Sequence, residues 1–346
     1  MALSARLCFS EDTSLRSPLK VLINYASAAF ARSQRLNSDT GLRIGGFDRA
    51  ISYTRTDIAV EFHRQHRRIL ASRHGDGYWL WKPYFIHRTL TALEAGDILF
   101  YSDAGAYFIA PIDSLLQLCR TTGQDLLVFE LQQIERCWTK RDAFVLTQTD
   151  IPTYVESRQR LASFSLWRKS RFTEDFCQAW LDSCQDERLL TDRPNTLGHA
   201  NYSGFVAHRH DQSVFSLLTK RHGLRAFRDP SQWGNAVRER YADSCYGQIL
   251  VHTRQRANPS FLSGVRARVR HTLRAARAAA ARRRFFRLDH LSEPPITRAD
   301  WQASLSAPLA FYARCCRAFQ RGLPEPIRQH RLYFASATPW RSDRPR

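Results

Sequence analysis

Short apolar runs along this chain alternate with stretches in which apolar residues recur every three to four positions. The run at 19–25 is almost entirely apolar and predicts a buried first strand. The stretch at 57–72 has the spacing of a helix with one inward face. Such alternation is typical of a mostly parallel sheet covered by helices, so we expect an α/β fold. Further strands are predicted at 51–53, 98–101, 125–130 and 247–252, and helices at 26–35, 83–95, 112–120, 140–147, 152–169, 171–184 and 210–222.

Length and composition fit one large domain with an appendage. The chain has 346 residues, 43% of them hydrophobic, which is enough for a sizeable core. We expect a core domain over 18–252 and a separate extension over 253–346. No apolar run is long enough to cross a membrane, and the first 18 residues lack the apolar core of a secretion signal. The 8 cysteines show no C-x-x-C spacing, which favours buried thiols in the cytoplasm.

The formal net charge of +20 is concentrated towards the C-terminus. Residues 253–288 hold eleven arginines and no acidic residue, and the spacing of Val265, Val269 and Leu273 predicts a basic helix there. That helix has either a solvated basic face or a surface over 264–288 that docks on anionic lipid. Nucleic acid is disfavoured, because the extension has neither a recognised binding motif nor interleaved stacking aromatics.

The chemistry-bearing segment of the predicted core is the turn after the strand at 98–101. The apolar strand leads into Asp103, and Gly105 ends the turn. Open α/β sheets bind ligands at the carboxyl ends of their strands, and a carboxylate there suits a divalent cation on a diphosphate. The alternative is that Asp103 caps a helix or fixes the turn.

Four motifs give the chain a family resemblance. They are Gly-Tyr-Trp-Leu-Trp-Lys-Pro at 77–83, Gly-Asp-Ile-Leu-Phe-Tyr-Ser-Asp-Ala-Gly at 96–105, Trp-Thr-Lys-Arg-Asp at 138–142 and His-Arg-His-Asp-Gln-Ser at 208–213. With these motifs the chain resembles bacterial GT-A-type glycosyltransferase-like proteins over about residues 18–252. The resemblance implies a Rossmann-like nucleotide-sugar domain with a mostly parallel sheet flanked by helices, followed here by the Arg-rich helical extension.

The resemblance also implies a donor site. The nucleotide base would meet Tyr25, Ala26 and the turn up to Arg35. The D-x-D-type motif, which holds Mn²⁺ or Mg²⁺ against the donor diphosphate, maps to Asp103 and Gly105. Gly105 replaces the second acid of that motif, and His252 is the position for a further metal ligand.

Four other residues have both a functional and a structural interpretation. Lys82 would neutralise the diphosphate, or it extends from an apolar patch between Trp81 and Pro83. Asp211, with Gln212 beside it, would face the acceptor or the sugar and act as general base in an inverting enzyme, or it caps a helix. Gly204 would let the backbone approach the sugar, or it forms a plain turn. If 77–83 is extended, Trp79 and Trp81 point to one face, where packing in the core or the site wall is favoured over a platform for stacking a sugar.

These expectations favour a metal-assisted glycosyltransferase that acts on a nucleoside-diphosphate sugar. The acceptor would be a hydroxyl of a surface glycan or glycolipid, and the enzyme would be cytoplasmic or peripheral on the inner membrane face. The alternative is a non-catalytic protein of the same fold that binds an anionic polymer or membrane through its Arg-rich helix. A hydrolytic metal centre of His208, His210, His252 and Asp103 is disfavoured, because no carboxylate set accompanies the histidines.

Overall fold

The computed structural model describes residues 16–253, which contain a six-stranded sheet of order β2-β1-β3-β6-β5-β7. The pairs β1–β2, β1–β3 and β5–β7 are parallel. Strand β6 is antiparallel to both of its neighbours, β3 and β5. A second, two-stranded sheet pairs β4 with β8. The strands are β1 Lys20–Tyr25, β2 Arg49–Tyr53, β3 Ile98–Ser102, β4 Ala106–Phe108, β5 Leu126–Ile134, β6 Arg158–Arg168, β7 Ala226–Arg228 and β8 Leu250–His252.

Helices cover both faces of the main sheet. Alternate residues of β1 and β3 enter two apolar clusters: Val21 and Leu99 belong to one, and Leu22 and Phe100 belong to the other. Burial on both faces explains why these strands read as continuous apolar runs. The helices are α1 Ala31–Thr40, α2 Val60–Gln65, α3 Arg67–Leu70, α4 Trp81–Thr91, α5 Asp113–Thr122, α6 Glu135–Trp138, α7 Arg141–Leu146, α8 Pro152–Val155, α9 Arg171–Cys184, α10 Glu187–Leu190, α11 His210–Arg221 and α12 Gln232–Asn235.

The predicted fold class is confirmed for the described residues, but one predicted element is wrong. The helix expected at 152–169 is a single helical turn, α8, followed by the eleven-residue strand β6. Residues 161–167 of that strand are all buried between the two apolar clusters. A strand buried on both faces has no two-residue alternation, so its sequence does not distinguish it from a buried helix.

Two further predicted elements need correction, and a third falls outside the described residues. The helix predicted at 57–72 is broken into α2 and α3, and the strand predicted at 247–252 pairs with β4 outside the main sheet. Strand β7 was not predicted. The Arg-rich helix lies outside the described residues. No helix within 16–253 is long and apolar enough to cross a membrane.

The strand order places a crevice at the carboxyl ends of β1 and β3. The chain passes from β1 to β2 on one side and then returns to β3 on the other side of β1. A parallel sheet whose connections diverge in this way leaves an opening between the two strand ends, where such sheets bind ligands. Tyr25 ends β1, and Asp103 directly follows β3.

A left-handed turn precedes α4. All five residues at 75–79 have positive φ angles, from 53° to 99°. The Tyr78 N–H donates to the His74 carbonyl at 2.7 Å, and the Trp79 N–H donates to the Gly75 carbonyl at 3.2 Å. This conformation costs about 1–2 kcal/mol for each non-glycine residue. The extended reading of 77–83 is therefore wrong, because the turn runs directly into α4, where Trp81 is the first residue.

Candidate active site

Asp103 is fixed at the end of β3 by one hydrogen bond to the neighbouring strand β6 and one from β3 itself. Its backbone N–H donates to the Ser163 carbonyl on β6 at 2.8 Å. Its Oδ1 accepts a hydrogen bond from the Tyr101 hydroxyl at 2.7 Å. The side chain remains 27% exposed, so this carboxylate faces the crevice.

Lys82 joins Asp103 to Asp211. It lies in the first turn of α4, and its ammonium is 3.6 Å from Asp103 Oδ1 and 2.8 Å from Asp211 Oδ2. The lysine side chain is 4% exposed. A buried ammonium needs such partners, because an unpaired buried charge is strongly destabilising.

Asp211 lies in the first turn of α11. Its side chain is only 5% exposed. Asp211 Oδ2 is paired with the Lys82 ammonium at 2.8 Å. A carboxylate offers about four lone-pair sites, so Asp211 keeps acceptor capacity beside this ion pair.

The pKa values of the two carboxylates are moved in opposite directions. Burial raises the pKa of Asp211 to about 6, and the nearby Lys82 ammonium only partly offsets it. Burial would also raise the pKa of Asp103, but the charges of Lys82 and His252 and the Tyr101 hydroxyl lower it below its ordinary value. Two carboxylates whose pKa values differ in this way can take different proton-transfer roles at one pH.

The residues predicted to bind the nucleotide base differ in how deeply they are buried. Tyr25 is buried with its ring stacked on Trp81 at 3.9 Å, and its hydroxyl donates to Asp76. Ala26 is also buried, whereas Arg35 is exposed on α1. One face of the Tyr25 ring is therefore already covered by an aromatic neighbour.

Pairing of β4 with β8 brings His252 to the Asp103 turn. Ala106 lies opposite His252, and the Gly105 carbonyl accepts from the Thr253 N–H at 2.8 Å. His252 is close enough to contribute to the lowered pKa of Asp103. An aspartate oxygen and an imidazole nitrogen suit Mn²⁺ better than Mg²⁺, which prefers oxygen. The residues fit a cation whose remaining ligands come from a diphosphate and water.

Gly204 and Gln212 lie among contacts that the protein makes with itself. Gly204 has φ of 84° and lies in a turn whose preceding carbonyl, at Ser203, accepts from Arg136. The Gln212 amide donates to Gln159 Oε1 at 2.8 Å, and its carbonyl accepts from the Ala162 N–H at 3.3 Å. Gln212 thus ties α11 to β6, and its contact with the acceptor or the sugar stays a prediction.

Sequence reasoning missed a buried amide network at the same strand ends. Asn24 Nδ2 donates to Asn37 Oδ1 at 2.7 Å, and Asn37 Nδ2 donates to the Ser102 hydroxyl at 2.9 Å. Within the described residues Asn24 Oδ1 has no hydrogen-bond partner. The signal for this network in the sequence was a polar residue near the end of each apolar strand, Asn24 in β1 and Ser102 in β3.

A separate group of possible metal ligands was also missed. His74, Asp192 and His210 place one ligand atom each within 4.8 Å of one another. Burial, the largest effect, lowers the pKa of His210 to about 4. His208 does not join them: its Nε2–H donates to the Leu189 carbonyl at 2.7 Å. Nothing in the sequence indicated this group, because His74 lies more than a hundred residues before Asp192.

Comparisons with known proteins give distant structural likenesses. No family model matches the chain, and no curated protein matches it. The fold is similar to mouse xyloside xylosyltransferase 1 at 10% identity and a TM-score of 0.39, with 68% of this chain and 97% of that chain covered. It is similar to the bifunctional glycosyltransferase WbbM at 8% identity and a TM-score of 0.41, covering 70% of this chain and 47% of that one.

A third similar structure is a glycosyltransferase involved in glycosylation of the major capsid of PBCV-1. Its identity is 12% and its TM-score 0.35, with 69% of this chain and 96% of that chain covered. Likenesses at these identities and TM-scores carry no conclusion about function. Fold and site define an α/β protein with a lysine-bridged carboxylate pair at the switch point of a mostly parallel sheet.

Proposed function

We propose that this protein is a glycosyltransferase that uses a nucleoside-diphosphate sugar. The observation that carries the proposal is the Asp103–Lys82–Asp211 cluster at the carboxyl ends of β1 and β3. It combines a partly exposed carboxylate beside an imidazole with a second, buried carboxylate of raised pKa. Such a site can bind a cation-bound diphosphate and accept a proton.

The donor would lie in the crevice with its diphosphate next to Asp103. A divalent cation, Mn²⁺ or Mg²⁺, would be held there by Asp103 and His252 and would supply positive charge to the leaving diphosphate. Asn24, with an unpaired buried carbonyl oxygen, is a further hydrogen-bond acceptor at the same edge.

Asp211 would receive the proton of the acceptor hydroxyl. In the transfer the acceptor oxygen bonds to the anomeric carbon, and the bond from that carbon to the diphosphate oxygen breaks. The electron pair of that bond leaves with the diphosphate, and the hydroxyl proton goes to the Asp211 carboxylate. An acid with a pKa of about 6 is ionised at neutral pH and is a stronger base than an ordinary aspartate.

Lys82 would position the two carboxylates. Its ammonium is buried and already lies between them, which agrees less well with direct contact to a diphosphate than with fixing Asp103 and Asp211. The acceptor class, a hydroxyl of a surface glycan or glycolipid, follows from the family resemblance and the basic extension.

A thermal-shift screen of the full chain tests the donor site. Nucleoside diphosphates and their sugars are added with and without Mn²⁺, to wild type, Asp103→Asn and Asp175→Asn. Asp175 is an exposed acid on α9 and serves as the matched control. We expect one nucleotide to raise the Tm in a metal-dependent way, because a ligand of the folded state stabilises it. The shift should vanish in Asp103→Asn alone. No shift with any nucleotide would refute the proposal.

A further inference from the structure

A second site, distinct from the Asp103–Lys82–Asp211 cluster, lies where three segments meet. His74 precedes the left-handed turn, Asp192 follows α10, and His210 begins α11. His74 Nδ1 is 3.4 Å from Asp192 Oδ2, and His210 Nε2 is 3.8 Å from Asp192 Oδ1. The aspartate thus lies between two imidazole nitrogens.

The free lone pair of His210 points into this group. Its other nitrogen, Nδ1, is 2.9 Å from the Leu190 carbonyl, which can only accept. Nδ1 must therefore carry the hydrogen, and Nε2 must carry the lone pair. A backbone carbonyl that fixes the tautomer in this way is the usual outer support of a metal-binding histidine.

The imidazole of His210 is also held rigidly. It stacks on the Trp79 ring at 5.3 Å with an interplanar angle of 19°, and Tyr78 and His74 lie against it at 5.1 and 4.7 Å. The residue itself has φ of 51°, in the left-handed region that a side chain rarely adopts. Trp79 and Tyr78 belong to the left-handed turn, so strained backbone supports the group from two sides.

Ligand chemistry selects the kind of ion. Two imidazole nitrogens and one carboxylate are the ligands of Zn²⁺ and similar ions, whereas Ca²⁺ and Mg²⁺ take oxygen. Zinc bonds of about 2.0–2.1 Å in a tetrahedron place ligand atoms roughly 3.3 Å apart. The two carboxylate–imidazole separations, 3.4 and 3.8 Å, are slightly wider, and the three ligand atoms all lie within 4.8 Å of one another. The side chains of His74 and Asp192 are each 49% exposed, which leaves them room to move closer together.

We propose that His74, Asp192 and His210 bind a divalent transition ion of the Zn²⁺ class. The ion would tie the left-handed turn and the segment after α10 to the start of α11. Asp211 follows His210, and Lys82 follows the turn, so the ion would hold in place the backbone on which both are mounted. A fourth coordination position would remain for water.

Co²⁺ titration of the metal-depleted full chain, without nucleotide, tests this site. Four-coordinate Co²⁺ absorbs visible light, and Zn²⁺ should abolish the absorption by competition. We expect wild type to bind one equivalent more of Co²⁺ than His74→Gln or Asp192→Asn. His199→Gln removes an exposed histidine outside the group and should bind like wild type.

Metal-free thermal melts of the same variants show whether each has folded. Both ligand positions are exposed, so a Tm close to that of wild type is expected without metal, and a larger rise with Zn²⁺ in wild type and His199→Gln than in His74→Gln or Asp192→Asn. Equal Co²⁺ spectra in wild type and His74→Gln, or no spectrum at all, would overturn the proposal. Because no nucleotide is present, failure here leaves the donor-site proposal untouched, and the converse also holds.

Discussion

At the scale of single residues, burial and neighbouring charges together make the two carboxylates that Lys82 joins differ. Its ammonium lies 2.8 Å from Asp211 and 3.6 Å from Asp103, yet burial dominates for Asp211 and charge dominates for Asp103. Asp103, which is partly exposed, is therefore the stronger acid, and the buried Asp211 is the stronger base. A single lysine thereby supports one residue for binding a cation and one for accepting a proton.

The raised pKa of Asp211 predicts a pH limit on transfer. A base must be unprotonated, so kcat/KM should fall about tenfold per pH unit below about 6 and level off above it. The measurement is a pH profile with the donor found by thermal shift. Asp211→Asn should lower kcat by about 10²-fold or more and remove this limb. A profile that stays flat down to pH 4 would exclude Asp211 as the base.

At the scale of elements, the left-handed turn at 75–79 is the least ordinary segment of the described chain. It carries His74 at its start and leads directly into the helix of Lys82. Two of its five residues are glycines, which adopt positive φ without penalty, and three are not. The strain of those three is sustained by packing, including the Trp81 indole N–H, which donates to the Gly75 carbonyl at 3.0 Å.

Substituting Gly77 tests how tightly this turn is held. At Gly77, where φ is 99°, a Cβ would meet the Leu70 Cα at 3.0 Å. Gly96 has a similar φ of 88°, but a Cβ there meets nothing within 4 Å. We expect Gly96→Ala to lower the free energy of unfolding by about 1 kcal/mol and Gly77→Ala by about 1–2 kcal/mol more, as measured by urea denaturation. Equal losses would show that the turn tolerates the added atom.

At the scale of the whole molecule, the densest positive charge and the candidate active site lie in different parts of the chain. The site lies within the described core, whereas the arginine-rich stretch at 253–288 follows β8. An enzyme that extends a lipid-linked glycan would benefit from a basic segment that adheres to anionic lipid.

Membrane docking of the extension predicts salt-sensitive vesicle binding. The full chain should sediment with phosphatidylglycerol-containing vesicles, less so as salt rises, and not with phosphatidylcholine alone. Replacing Arg282, Arg283, Arg284 and Arg287 by Gln should weaken this binding severalfold. The matched control replaces four exposed core arginines, Arg64, Arg67, Arg68 and Arg73, and should bind like wild type. Equal weakening in both variants would indicate a general charge effect.

The sequence by itself determined the α/β class and the position of Asp103. Buried parallel strands such as β1 and β3 read as apolar runs, and the acid after such a run must lie at a strand end. The same logic failed for β6, because burial on both faces removes the periodicity that separates a strand from a helix.

Only the tertiary structure decided which side chains meet. Lys82, Asp103 and Asp211 come from three elements separated by 21 to 129 residues, and their ion pairs depend on how α4 and α11 pack on the sheet. The same holds for His74, Asp192 and His210, where the first ligand directly precedes a left-handed turn that three non-glycine residues adopt at a cost. Local sequence specifies an element, but long-range packing specifies the distances on which chemistry depends.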